Sequence, residues 1–397
     1  MEPHFHYYAT YCAAYLAGYT HEESMRICWS AEFVDRCTKT VLTRIKAPLS
    51  AATSQLQMEL MDMRTDVIGL QEITRIWSSF HFLPRDLYAE VKGPKRFRNK
   101  YRLLCGPNGT LVKDTVELAK GKGLEAVGVA LHVVADTWAH TYFIGAPSLV
   151  FNSTNHHFFE LIPDGNGVYE EKHISFRHNP GAPDDPANCL YLATLPSIYE
   201  NSIMNLGHGR ASHLPDYSYA RYKYMPSWAD HEVLYKDNPS DFFKAFCQMI
   251  YVMKYIRGEV PEFETDTYDY ETVSPWESEI KEILERRQTY CGDDWKAFGE
   301  KLSGRTVEPF DIEPFVEEYI AAGDNSNDTV IGRFTGATLA QKSMVTNKIY
   351  KSGNLLAGYS VDYEENGLKG IKDYFRLIEK QVDEMSAGGR RGGRDGD

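Results

Sequence analysis

No run of 18 apolar residues occurs anywhere in the chain, so no membrane-spanning helix is expected. Basic residues are outnumbered: 43 Lys and Arg face 56 Asp and Glu, giving a formal charge of −13. A protein held mainly by nucleic-acid phosphates needs the opposite balance, so long nucleic acid is not an expected partner. The seven cysteines (Cys12, Cys28, Cys37, Cys105, Cys189, Cys247 and Cys291) are odd in number and form no CxxC pair. That suits free thiols in a reducing compartment better than a disulfide framework. The opening MEPHFHYYATY has neither a basic n-region nor an unbroken apolar core. It therefore does not read as a signal peptide, and a cytoplasmic protein is the expectation. HExxH, GxSxG, GxxxxGK[ST] and a strand-linked GxGxxG are all missing, as is any repeat of solenoid period.

What is present is a helical chain long enough for a large core: 397 residues, 43% apolar. Phe5 to Leu16 is apolar with Gly18 as a stop, and Thr20 with Glu23 forms a capping box for a helix to about Thr40. Near-helical spacing continues over Ala51 to Ser78 and over Thr115 to Phe143, the latter interrupted by Gly121 and Gly123. Val91 to Asn108 reads as a surface loop. Residues 145–196, rich in PDGNG and NPGAPDDP turns around VYEEKHISF, read as an irregular insertion with a hairpin. Helices are expected again at Ser197–Leu206, Asp241–Arg257, after Ser274-Pro275, around Ile312–Ala322 and over Gly367–Met385. These give a mainly α fold: a helical domain over 1–260, a helical extension over 261–386 packed on it, and a disordered Gly/Arg tail over 387–397.

The chemistry lies in the histidines, none of which follows Glu232. In LHVVADTWAHTYFIG, His132, Asp136 and His140 recur every four residues, drifting about 40° per step on a helix and so sharing one stripe. A buried stripe of imidazoles and a carboxylate is costly unless it pairs internally or holds a cation. Further imidazoles and carboxylates occur in HFH (His4, His6), AEFVD (Asp35), FHFLP (His81), His156-His157 with Glu160, and GHGRASHLPD (His208, His213, Asp216). Nitrogen and oxygen donors of these kinds suit zinc, and also manganese or iron.

In order, HFHYYATYCAAYLAGY, Asp35, His81, HVVADTWAHTYFIG and GHGRASHLPDYSY resemble the zinc-dependent phospholipase C and single-strand nuclease superfamily. The resemblance is closer to an uncharacterised, mainly bacterial family of unknown function related to it, and covers about residues 4–230. It implies a phospholipase C/nuclease-like helical bundle with one to three zinc ions. Asp136 would bridge two of them beside His132, Asp35 and His81 would complete one site, and His6 would serve the second. His140, His208 and Asp216 would hold a third, with His156, Glu160 or His213 as replacements. In the secreted members an N-terminal amine is also a ligand, and His4 is the expected substitute here. The implied activity is hydrolysis of a small-molecule or lipid-head-group phosphoester, with Asp35 orienting water and Arg210 clamping phosphate. A metal-dependent lyase, cyclase or oxygenase on the same fold is the alternative, and a non-catalytic metal-stabilised binding protein the second. Tyr7, Tyr8, Trp138 and Tyr142 are candidate pocket aromatics beside their plainer role in the core.

Overall fold

A computed structural model describes residues 1–63, 66–154, 157–177, 182–193 and 200–358. The chain opens with a π-helical turn (Phe5–Ala9) that runs into α1 (Thr10–Leu16). It continues through α2 (His21–Arg36), α3 (Lys39–Ile45), α4 (Gln57–Met63), α5 (Val67–Phe80), α6 (Lys95–Tyr101), α7 (Thr110–Ala119) and α8 (Leu124–Ala139). Strands β1 (Phe159–Pro163), β2 (Tyr169–His173), β3 (Ser175–Arg177), β4 (Leu190–Leu192), β5 (Arg221–Tyr224) and β6 (Leu234–Asp237) follow. The remainder is helical again: α9 (Asn238–Ile256), α10 (Tyr270–Val273), α11 (Glu277–Glu285), α12 (Gly292–Ser303), α13 (Glu313–Ala322) and α14 (Val330–Lys351). The fold is mainly α.

Local chemistry accounts for the boundaries. Thr20 and Glu23 make both halves of the capping box that opens α2. The helical stretch read over 51–78 is two helices, because Asp66 caps a new start by accepting from the Gly69 amide at 2.7 Å. Gly121 and Gly123, both at positive φ, separate α7 from α8. The expected loop at 91–108 contains α6, whose first turn follows Pro94. The expected helix at 197–206 is, among the described residues, only a 3₁₀ turn at Ile203–Asn205, capped by Ser202. The insertion does hold a hairpin, β1 with β2, joined through β5 and β6 into one antiparallel sheet of order β2-β1-β5-β6. The Gly367–Met385 segment and the 387–397 tail lie outside the described residues.

Helix α8 is the axis of the molecule, with every residue from Glu125 to Ala139 buried. It packs on α2, α9, α7, α14 and α5, which is why its sequence lacks a polar face. One apolar core runs from Met1 to Ala357 and takes side chains from α1, α2, α8, α9, α12 and α14 alike, so helices of the C-terminal third share the core of the first 260 residues.

The tightest approach is between α8 and α2. A Cβ at Gly128 would lie 2.4 Å from the Ile27 carbonyl oxygen and 2.6 Å from Ser30 Cβ. Because those are helix atoms, the clash cannot be relieved by a rotamer change. Gly128→Val is expected to destabilise the protein by about 3 kcal/mol. It should also move His132, one turn along α8, away from its backbone partner on α2. A lower thermal midpoint would show the clash, and an unchanged midpoint would refute the close-packing argument.

Candidate metal centre

Four segments converge at the C-terminal half of α8. Helix α8 supplies His132 and Asp136, and His140 is its C-cap. Helix α5 ends at His81, its own C-cap. Helix α2 brings Asp35, and the first π-helical turn brings His6. The irregular segment after β4 brings His208 and Asp216, helped by Gly207 at φ +53°, where a Cβ would strike the Phe82 ring.

Asp136 sits at the middle with its oxygens facing opposite ways. Oδ1 lies 2.5 Å from the Met1 amine and 3.1 Å from His6 Nε2. Oδ2 lies 3.2 Å from His81 Nδ1, 3.2 Å from His132 Nε2 and 3.6 Å from His140 Nδ1. Asp35 Oδ1 approaches His81 Nδ1 at 3.7 Å and His132 Nε2 at 3.9 Å. Asp216 Oδ1 lies 3.0 Å from His140 Nε2, and its Oδ2 lies 3.4 Å from His208 Nε2. Three groups result, His6/Asp35/His132, His81/His132/Asp136 and His140/His208/Asp216, each with donor atoms within 4.8 Å of one another. Such groups of buried imidazoles and carboxylates can hold a metal ion.

The hydrogen bonds made by the rings test that fit. His132 Nδ1 donates to the Ala31 carbonyl at 2.9 Å, and His81 Nε2 to that of Thr53 at 2.9 Å. His140 Nδ1 donates to His81 O at 2.6 Å, and His208 Nδ1 to Ser212 O at 2.8 Å. A neutral imidazole has one N–H, so in each neutral ring the nitrogen left over carries a lone pair. With both rings neutral, the lone pairs of His81 and His132 would face each other at 3.3 Å, beside Asp136. Acceptors facing acceptors repel unless a proton or a cation lies between them. Backbone carbonyls fixing the outer nitrogens while the inner ones converge is the second layer that metal-binding histidines require.

The rings differ in their electrostatics: burial would lower His81, but its bond to Asp136 and the charges of Asp35 and Asp136 raise it. Burial, reinforced by neighbouring His132, pushes His6 down to about 4. Burial likewise brings His208 to about 4 against the pull of Asp216. Both rings are therefore neutral donors at neutral pH. Burial would raise Asp136, but His140, the Met1 amine and His132 overcome it and hold the carboxyl well below its usual range. The Met1 amine is buried too, yet Asp136 and Asp216 lift it to about 10. Asp35, 28% exposed, and His208, 17% exposed, mark the side of the centre that meets solvent.

Several expected residues lie elsewhere or take other partners. His4 does not supply the nitrogen beside Asp136 and Asp216. The Met1 amine lies there, 3.3 Å from Asp216 Oδ1, while His4 packs edge-on to Tyr290 at 4.1 Å. Glu160 is engaged by Arg287 and Tyr191. His156 lies outside the described residues. His213 Nδ1 reaches Asp216 Oδ2 at 3.6 Å, but its side chain is 60% exposed. Arg210 is buried, with Nη1 3.5 Å from Asn205 Oδ1 and no partner for Nε among the described residues. Trp138 donates to Gln248 and Tyr7 to the Glu308 carbonyl, so both belong to the core.

Two carboxyl groups near the centre escaped the sequence reading. Glu32, one turn before Asp35, is buried and pushed up to about 8 by desolvation and by Asp35. Its Oε1 accepts from Arg36 at 2.9 Å. An acidic residue inside the apolar run WSAEFV was the available signal. Glu2, buried beside Cys291 and raised by burial and by Asp216, had no such signal.

No curated protein and no solved structure matches the chain significantly. A protein-family model described as "Family of unknown function (DUF6765)" matches residues 1–349, nearly nine-tenths of the sequence and the whole centre with it. The chain belongs to this family of unknown function.

Proposed function

We propose that the centre binds zinc and that the protein is a metal-dependent hydrolase of a small phosphoester. The observation that carries this reading is Asp136, whose two oxygens each serve a different set of donors within a cluster of five imidazoles. A carboxylate facing two ways between histidine groups is the arrangement that lets two cations share one ligand. Zinc suits a donor set of imidazole nitrogens and carboxylate oxygens.

Cations held by these residues would supply Lewis acidity towards a phosphoryl oxygen and towards attacking water. The chain's own residues do the rest. His81, His132, His140 and His208 hold position through the carbonyls already described, and His6 through its stacking on the His132 ring at 3.8 Å. Asp35, the most exposed carboxylate of the groups, accepts a proton from water and orients it. Arg210, buried with a spare N–H, binds phosphate oxygens.

Two measurements on tag-free protein test this: metal content by plasma mass spectrometry, and hydrolysis of a phosphodiester panel before and after chelation. Two or three zinc ions per chain, with hydrolysis lost on chelation and restored by zinc, is the expected result. A chain that takes up no zinc, or a zinc-loaded chain inert on the whole panel, would overturn the reading.

A further inference from the structure

Away from the metal centre, one buried lysine has no counter-charge in contact with it. Lys342 lies on α14 and is 5% exposed. Its Nζ donates to the Ser50 carbonyl at 2.6 Å, in the 3₁₀ turn Leu49–Ala51, and makes no ion pair among the described residues. The comparably buried Lys100 and Lys236 are different, since Glu200 pairs with the first and Asp241 with the second. Glu72 faces Lys342 from α5, but its carboxylate accepts from Arg75 at 2.6 Å. Lys39, at the start of α3, adds another positive charge. Cys37 is also near, but burial raises its thiol to about 12, so it offers no anion. Three cations therefore share one carboxylate, and a buried ammonium without its own counter-charge is costly. Burial is the largest influence on the amine and brings it down to about 8, against the pull of Glu72 and helped by Arg75 and Lys39. About a tenth of it is then an unprotonated nucleophile at neutral pH.

We propose that Lys342 is a carbamylation site, where carbon dioxide adds to the buried amine. Burial selects the electrophile, because an amine this enclosed admits a small uncharged molecule and excludes bulky acyl donors. The Nζ lone pair attacks the carbon of carbon dioxide, one C–O electron pair moves onto oxygen, and an N–H proton passes to water. Nothing is oxidised or reduced. The side chain changes from a cation to a carboxylate, so Arg75 and Lys39 then face two anions, the carbamate and Glu72. The charges of the patch are matched only in this form.

The full chain, equilibrated with isotope-labelled bicarbonate and carbon dioxide at mildly alkaline pH, provides the test. Triethyloxonium traps carbamates as esters, and peptide mapping by mass spectrometry locates them. Lys342 is expected to carry about ten-fold more trapped label than Lys100 or Lys236, whose amines are held as ammonium by their carboxylates. Lys39→Gln, a change at a partly exposed position, should lower the label at Lys342 about three-fold. Carbon dioxide should also raise the thermal midpoint of the native chain and leave that of Lys342→Met unmoved. No label at Lys342 under saturating carbon dioxide would overturn the proposal. So would equal labelling of Lys342 in urea-unfolded protein, which would show ordinary amine reactivity in place of a built site.

Discussion

On the proposed function, Asp136→Asn is expected to strip most of the zinc from the protein and to lower kcat/KM on a phosphodiester by about a thousand-fold or more. The substitution keeps the side-chain shape but removes the charge that balances the Met1 amine and the surrounding imidazoles. It also places an NH₂ where one oxygen accepted, so one of the two donor sets loses its acceptor. Asp35→Asn is the control. Asp35 reaches the same rings only at 3.7 and 3.9 Å and lies partly in solvent. Its loss should leave more metal bound while reducing kcat, if it orients water as proposed. Metal content by mass spectrometry, circular dichroism for the fold and steady-state kinetics separate the two variants. Full zinc occupancy and native activity in Asp136→Asn would sink the bridging role.

Much of this centre was legible because helices convert spacing into geometry. The i, i+4, i+8 series of His132, Asp136 and His140 placed three donors on one stripe, and α8 carries that stripe towards Asp136's partners. His6, Asp35 and His81 could be nominated by residue type and order, but only packing shows that α2 and α5 present them to the same point. His208 and Asp216 were nominated together with His140, and the structure groups the three. The path that delivers them was not readable, because their segment follows no regular repeat and its turns are set by Gly207 and by His208 donating to its own loop. The nitrogen between Asp136 and Asp216 belongs to a main-chain terminus, which carries no residue-type signal at all. Similarly, the β5–β6 pair was missed because RYKY and LYKD are four-residue strands whose partners are set by tertiary packing.

The same distinction governs Glu160, which by sequence was a candidate ligand beside His156. Its carboxylate, 1% exposed, takes both Nη groups of Arg287, which arrives from just beyond α11. Tyr191 OH donates to Oε2 at 3.0 Å, and the Arg287 guanidinium lies 5.4 Å from the Tyr219 ring. The pair therefore clamps the β-sheet insertion to the C-terminal helices. Arg287→Met leaves a buried carboxylate without its cation, and a destabilisation of about 3–5 kcal/mol is expected. Replacing both partners, Glu160→Leu with Arg287→Met, should recover most of that loss, because no charge then stays buried. Thermal melts of native, single and double variants would show this, with metal content as the second readout. Zinc binding should be untouched in the double variant, and its loss there would return Glu160 to the list of ligands.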